Sequence, residues 1–165
     1  MRVLPVLAAL VALSGIARAD DGDMRPATKG NIGIGIILGE PTGICAKLYL
    51  RDDQAIQAAV GSAFILGGLQ FHADYVFHPF ILQQRASFVL PFYVGPGIWA
   101  FDHTGNRDEH YFALGVRGVA GLLFDFTTVP LDAFVEVAAV LDYGFKDTVG
   151  AGVDLNVGAG ARFYF

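Results

Sequence analysis

Residues 131–143 read LDAFVEVAAVLDY, and this stretch decides the fold. Every second residue in it, starting with Leu131 and ending with Tyr143, is apolar or aromatic. Asp132, Glu136 and Asp142 all fall on the other parity. Because side chains alternate between the two faces of a β-strand, the stretch predicts a strand with one apolar face and one charged face.

The same alternation recurs along the chain in segments of strand length, which are separated by turns rich in Gly, Pro and Asp. Eight segments are predicted: Asn31–Leu38, Gly43–Arg51, Ala55–Phe64, Leu69–Phe77, Ser87–Phe101, Tyr111–Phe126, Leu131–Tyr143 and Gly152–Phe165. The strongly polar residues predicted to share the polar face are Lys47, His72, Asp74, Arg117, Asp132, Glu136, Asp142, Asp154, Asn156 and Arg162.

The two faces differ in size as well as in polarity. The polar face is rich in Gly and Ala, such as Gly33, Ala59 and Gly121, whereas the apolar face is uniformly bulky. A sandwich in water would turn its apolar face inward, but small and polar residues suit the crowded interior of a narrow barrel, and bulky uncharged ones suit lipid. The sequence therefore predicts an all-β fold over residues 31–165. It is an eight-stranded antiparallel up-and-down transmembrane β-barrel with a filled polar lumen.

The composition is typical of a membrane protein, but no segment after residue 19 could cross the membrane as a helix. The mean hydropathy is +0.50 and 54% of the residues are apolar. No run of about 18 uncharged apolar residues follows residue 19, as a spanning helix would need. In hydrocarbon every backbone N–H and C=O must be paired within the protein, and a closed sheet achieves this without a free edge.

The first nineteen residues have the layout of a secretory signal peptide. Arg2 is followed by an almost wholly apolar run over Val3–Leu13, and Ala17 and Ala19 place small residues before the cleavage point. We expect cleavage after Ala19 and a short disordered lead-in over residues 20–30. The barrel domain would then cover residues 31–165 of an exported protein.

Charge and cysteine content argue against several kinds of partner. Without Arg2 and Arg18 the chain keeps 9 basic against 16 acidic residues, a net charge of −7, which argues against binding to nucleic acid. Cys45 is the only cysteine, so neither an intramolecular disulfide nor a Cys-based zinc pattern can form. No cofactor and no metal are expected, and a monomer is predicted.

With these features the chain resembles the small eight-stranded outer-membrane barrels of Gram-negative bacteria. The resemblance rests on the signal peptide, the strand count, the alternation and the ending Ala161-Arg162-Phe163-Tyr164-Phe165. It implies a location in the bacterial outer membrane, among membrane lipid and lipopolysaccharide. Phe163 and Phe165 resemble the terminal signal by which the barrel-assembly machinery takes up such chains, so this machinery is an expected partner.

Residues that could carry catalysis are few. His72 and Asp74 lie two apart on one face, a spacing that could orient an imidazole as a general base. Ser62 and Ser87 have no His at motif spacing, and the His-x-Ser pattern of lipid A deacylase barrels is absent. We predict a non-enzymatic barrel with no open pore and a structural or surface-interaction role. Two alternatives stay open: an outer-membrane lipid-modifying hydrolase or acyltransferase, and a secreted lipocalin-like binding barrel.

Two local expectations follow from prolines and aromatic residues. Pro91 and Pro96 fall inside the fifth segment, where a closed barrel requires a bulge or a later strand start, and Pro79–Ala86 is predicted as the preceding connection. Aromatic residues near the segment ends predict two interfacial belts. The members predicted for one belt include Trp99, Phe101 and Tyr111, and those for the other include Tyr49, Phe77 and Phe163.

Overall fold

The computed structural model describes residues 29–63, 67–104, 110–145 and 150–165, which form a closed sheet of eight strands. The strands are β1 (Ile32–Gly39), β2 (Thr42–Arg51), β3 (Gln54–Ser62), β4 (Leu69–Gln84), β5 (Phe88–Thr104), β6 (His110–Phe126), β7 (Leu131–Phe145) and β8 (Gly150–Tyr164). Each strand pairs antiparallel with the next, and β1 pairs with β8. The predicted fold class is confirmed: an all-β ring of eight antiparallel up-and-down strands. The predicted signal peptide lies outside the described residues.

The two faces of the barrel wall follow the predicted alternation. In β7, Val135 and Val137 are 44% and 43% exposed, whereas Glu136 between them is 8% exposed. Apart from Arg51 and Asp102 near strand ends, the described strand residues place no Asp, Glu, Lys or Arg on the outward face. In the part of the chain that is described, no helix is long and apolar enough to cross a membrane.

The barrel has two ends that differ in what they carry. The termini end carries the start of β1, the end of β8 and the turns after β2, β4 and β6. The loop end carries the turns after β1, β3, β5 and β7. Lys29 and Gly30, the last residues of the predicted lead-in, lie at the termini end, where the Lys29 side chain is buried.

The fourth strand is longer than the sequence predicted. β4 continues to Gln84, so the predicted connection over Pro79–Ala86 is wrong, and the turn is confined to residues 85–87. Two register shifts against β5, one within Phe77–Phe80 and one within Ile81–Gln83, mark β-bulges in β4. After Pro79 the bulges return a bulky side chain to the outward face, where Phe80 is 43% exposed.

Both prolines of the fifth segment lie within β5, which starts before them at Phe88. Pro91 faces the lumen and pairs with Ile81 beside the second bulge of β4, so the bulge lies in the neighbouring strand and not in the fifth segment, where it was expected. Pro96 faces outward and lies opposite Gly118 of β6. The alternative of a later strand start is wrong.

The predicted aromatic belts are only partly present. Tyr49, Trp99 and Phe101 are at most 6% exposed and face the lumen, so their assignment to a belt is wrong. Aromatic side chains do lie on the outward face near both barrel ends. They are Phe112, Tyr143 and Phe145 toward the loop end, and Phe77, Phe124, Phe163 and Phe165 toward the termini end.

Candidate functional site: the lumen network

Charged side chains from three strands meet in the middle of the lumen. Arg117 of β6 lies between Asp74 of β4 and Glu136 of β7. Its Nε is 2.9 Å from Asp74 Oδ1, a close ion pair without hydrogen-bond alignment, and its Nη2 donates to Glu136 Oε1 at 3.0 Å. The three side chains are at most 5% exposed. Together with Gln57 and Tyr93 they form what we call the middle cluster.

The two neutral members of the middle cluster donate hydrogen bonds to its carboxylates. Gln57 of β3 donates through Nε2 to Asp74 Oδ2 at 3.2 Å and to Glu136 Oε2 at 2.9 Å. Tyr93 of β5 donates to the same glutamate oxygen at 2.8 Å. Buried charges are tolerated when they are paired and hydrogen-bonded, and both carboxylates meet that requirement.

His72 lies beside the middle cluster. Its Nε2 is 3.9 Å from both Asp74 Oδ2 and Glu136 Oε1, which is too long for a hydrogen bond. Ligand atoms of these three residues lie within 4.8 Å of one another, and an imidazole with two carboxylates is a donor set that divalent metals accept. However, the Arg117 guanidinium already contacts both carboxylates and supplies the positive charge there. The arrangement fits a buried ion-pair network better than a metal centre.

A second cluster lies nearer the termini end. Arg162 of β8 donates through Nε to Asp132 of β7, with distances of 3.0 Å to Oδ1 and 3.3 Å to Oδ2. Tyr164 donates to the same carboxylate at 2.6 Å. The Arg162 guanidinium also lies 4.1 Å from the ring centroid of Phe134, a cation–π contact. We call Asp132, Arg162 and Tyr164 the lower cluster.

Lys47 is buried among aromatic rings without a carboxylate partner in the described part of the chain. Its Nζ is 3.0 Å from His78 Nε2 and 4.8 and 5.1 Å from the ring centroids of Tyr49 and Tyr93. His78 Nδ1 is 3.2 Å from the backbone oxygen of Asp53. Because a carbonyl oxygen only accepts, Nδ1 donates and Nε2 is left as the acceptor that an ammonium group needs. The geometry therefore makes Lys47 Nζ the donor and a neutral His78 the acceptor.

Lys29 closes the lumen at the termini end. Its Nζ forms an ion pair with Asp125 and donates to the backbone oxygen of Leu131. It also lies 5.6 Å from the ring centroid of Tyr164, so it touches the lower cluster. The lead-in is thereby joined to the barrel through a side chain that is 2% exposed.

Glycines make room for these clusters. Gly97 of β5 pairs with Asp74 on one side and with Arg117 on the other, and a Cβ on it would lie 1.9 Å from Asp74 Oδ1. Gly121 of β6 likewise pairs with Tyr93 on one side and with Glu136 on the other. A Cβ on Gly121 would lie 2.3 Å from Tyr93 Cζ. Side chains from alternate strands thus meet over a glycine on the strand between them. This explains why the polar face is also the face of small residues.

Polar residues toward the loop end form a separate group. Asn156 is buried, and its Nδ2 donates to the backbone oxygen of Glu40 at 3.4 Å. In the amide orientation that satisfies both of its polar atoms, Gln70 accepts from Asn156 and from Trp99 Nε1 and donates to the Glu40 carboxylate. Glu40 itself belongs to the turn between β1 and β2.

The predicted lumen residues are not all in one place. Asp142 is half-buried and Asp154 is exposed, and neither forms an ion pair within the described residues. Phe163 and Phe165, predicted as an assembly signal, are exposed on the outward face. The buried members of the predicted set are Lys47, His72, Asp74, Arg117, Asp132, Glu136, Asn156 and Arg162.

Sequence analysis missed several members of the lumen network. Gln57, Gln70 and Asp125 have the parity of the polar face, so the rule that found the other residues could have found them. His78 lies between the predicted fourth segment and the predicted connection, and Lys29 lies in the predicted lead-in. No pattern in the sequence signals that these two side chains enter the lumen.

No protein-family model matches the chain, and no curated protein and no solved structure matches it significantly. The function is therefore inferred from the chemistry of the site. His72 borders a lumen cavity of only about 10 Å³. Ser62 and Ser87, the serines among the described residues, are exposed at a strand end and in a turn, and neither lines that cavity. A nucleophile, a base and space for a substrate are not brought together there.

Proposed function

We propose that the chain is an integral β-barrel of a bacterial outer membrane, with no open pore and with a structural or surface-interaction role. The outward face carries the proposal. Large apolar side chains cover it with exposures from 36% to 76%, and between the strand ends of the described residues it has no ionised group. Soluble monomers rarely expose an apolar patch of more than a few hundred Å², whereas a bilayer solvates such a belt.

The contents of the lumen favour this function over that of a secreted binding barrel. A lipocalin-like carrier holds its ligand in a central cavity of the barrel. Here the middle and lower clusters occupy the interior, and the cavity between them measures about 10 Å³. A ligand of several heavy atoms would have to displace buried ion pairs.

The proposed role is not enzymatic. A lipid-modifying hydrolase or acyltransferase based on His72 and Asp74 would need these side chains to reach a lipid, but both are 2% exposed and lie inside the wall. Lipid A from cells carrying the His72→Ala variant should be unchanged. A changed acylation pattern would favour the enzyme.

The proposed surroundings follow from the proposed location. They are outer-membrane lipid and lipopolysaccharide at the outward face and the barrel-assembly machinery during insertion. The acidic net charge makes nucleic acid a poor partner. A single closed barrel has no free strand edge that needs a second copy, which supports a monomer.

Two matched valines test whether lipid covers the outward face. Val137 lies in the middle of β7 and Val129 in the turn after β6, and both are 43% exposed. Arginine on the lipid face near the bilayer midplane costs about 2–4 kcal/mol, and near the interface about 0–1 kcal/mol. We expect Val137→Arg to lower the free energy of unfolding in lipid vesicles by that larger amount and Val129→Arg to change it little.

Cell fractionation complements the pair of variants. The protein should be found with the outer membrane and need detergent for its release. Recovery from the periplasm without detergent, together with equal effects of both arginines, would contradict the proposal.

A further inference from the structure

The ring of strands closes along only part of β8. β1 pairs with residues 158–164 of β8. In the turn after β1, the backbone N–H of Glu40 donates to the Val157 oxygen at 3.0 Å. β8 continues beyond this point toward the loop end. Its residues 150–156 pair with β7 on one side and, among the described residues, with no strand on the other. We call this stretch the open edge.

The open edge presents backbone groups that no neighbouring strand uses. Successive residues of a strand direct their N–H and C=O groups to opposite neighbours. The Val157 oxygen and the Phe165 N–H both bond on the β1 side, whereas the Tyr164 N–H bonds to the residue just before β7. Odd-numbered residues of β8 therefore direct both groups to the β1 side. Within the open edge they are Ala151, Val153 and Leu155.

The open edge lacks features that commonly keep a strand edge from pairing. Edges are often protected by a proline, a lysine or a β-bulge. The register between β7 and β8 is unbroken, and residues 150–156 contain no proline and no lysine. The outward side chains of Val153 and Leu155 are 76% and 68% exposed. Backbone and side chains of the open edge are therefore accessible to a further strand.

The opposite face of the open edge is acidic. Asp154 is exposed on it. Asp142 of β7 lies beside it, because it pairs with Gly152 and a Cβ on that glycine would lie 2.7 Å from Asp142 Oδ2. Neither carboxylate forms an ion pair within the described residues. An added strand is therefore stabilised by basic side chains on this face and by apolar ones beside Val153 and Leu155.

We propose that the open edge of β8 binds an extended segment of a partner protein, which alternates basic with apolar residues and adds to the sheet as a further strand. The inference deepens the surface-interaction role proposed above and rests on it. Main-chain hydrogen bonds to Ala151, Val153 and Leu155 supply the affinity. Asp142 and Asp154 supply the preference for basic residues.

Other occupants fit the open edge less well. A second copy would bring its own aspartates to the acidic face. The strands of a barrel are also tilted by roughly 35–45° from its axis, so the β8 strands of two barrels side by side in one membrane would cross and not pair along their length. The lead-in meets the barrel at the termini end, where Lys29 is buried, whereas the open edge lies toward the loop end.

Hydrogen exchange read by NMR tests the proposal on the full-length exported protein in zwitterionic micelles. The probe is a short synthetic peptide of alternating valine and lysine, and the control peptide carries glutamate in place of lysine. The lysine peptide at saturation should slow exchange of the Ala151, Val153 and Leu155 amides by about tenfold or more, because these N–H groups become hydrogen-bonded. The glutamate peptide should have little effect.

Three results would overturn the proposal. The first is unchanged exchange of the three amides with the lysine peptide. The second is equal protection by both peptides. The third is slow exchange before any peptide is added, which would mean that the edge is already paired. If that slow exchange depends on protein concentration, the occupant is a second copy.

Two variants at one position separate backbone pairing from side-chain contact. Val153→Pro removes an N–H that points to the open edge and leaves the β7 ladder intact, so the barrel should fold while the lysine peptide no longer protects Ala151 and Leu155. Val153→Ala keeps the N–H and should retain the protection. Equal protection in both variants would overturn the assignment of the edge. If Val153→Pro does not fold, the wild-type exchange with the two peptides still decides.

The charge preference is tested separately by Asp142→Asn combined with Asp154→Asn. Affinity for the lysine peptide should fall by about twofold to fivefold for each lost charge, the range expected for an exposed ion pair. Unchanged affinity would overturn the preference for basic residues. Cell fractionation and the two arginine variants test the membrane location without any peptide, so a failure of this inference is distinguishable from a failure of the proposed function.

Discussion

At the scale of single residues, the lumen network depends on glycines as much as on charges. The ion pair between Asp74 and Arg117 crosses over Gly97, and the absence of a side chain there is what lets them meet. We expect Gly97→Ala to push the Asp74 carboxylate away and to lower the free energy of unfolding by about 1–3 kcal/mol, the usual cost of overpacking a core. Urea unfolding in detergent micelles measures this.

A second glycine of the barrel wall provides the control. Gly118 lies on the outward face of β6, and a Cβ added to it would have nothing within 4 Å. Gly118→Ala should therefore change the free energy of unfolding by no more than about 0.5 kcal/mol. Equal losses in both variants would mean that strand glycines matter for their backbone and not for the space they leave in the lumen.

At the scale of strands, the sequence predicts regular segments well and irregular ones poorly. β7 keeps a strict period of two with three acidic residues on one parity, and its faces are as predicted. In β4 the proline at position 79 predicts a turn, but the bulges after Phe77 let the strand continue past it to Gln84. Aromatic residues mislead in another way, because Trp99 or Tyr49 suits either a lumen or a lipid face.

The end of β4 yields a prediction for hydrogen exchange. Phe80, Ile81, Gln83 and Gln84 pair with β5, whereas Ala86 and Ser87 lie in the turn. As a group, the backbone amides of these four paired residues should therefore exchange much more slowly than those of Ala86 and Ser87. Hydrogen exchange of the micelle-bound protein, read by NMR, checks this. Fast exchange throughout 79–86 would support the loop that the sequence alone suggested.

At the scale of the whole molecule, side chains of the described strands pack the lumen of the barrel. An eight-stranded barrel is just wide enough for its interior to be filled by side chains. Here the Lys29–Asp125 pair closes the termini end. Lys47, the lower cluster and the middle cluster fill the lumen from there toward the loop end. An ion that passed through the lumen would have to separate several buried ion pairs. Separation leaves a buried charge without its partner, which is energetically costly.

We therefore expect no conductance steps above those of the bare membrane when the protein is reconstituted into planar bilayers. Insertion must be shown in the same lipid, by a heat-modifiable gel band and by protection of the strands from protease. This control excludes failed folding as the cause of the missing current. A large water-filled porin serves as the positive control, because its wider barrel leaves an aqueous path. Reproducible current steps from the inserted protein would mean that the lumen clusters move aside, and the plugged barrel would then be only one of its states.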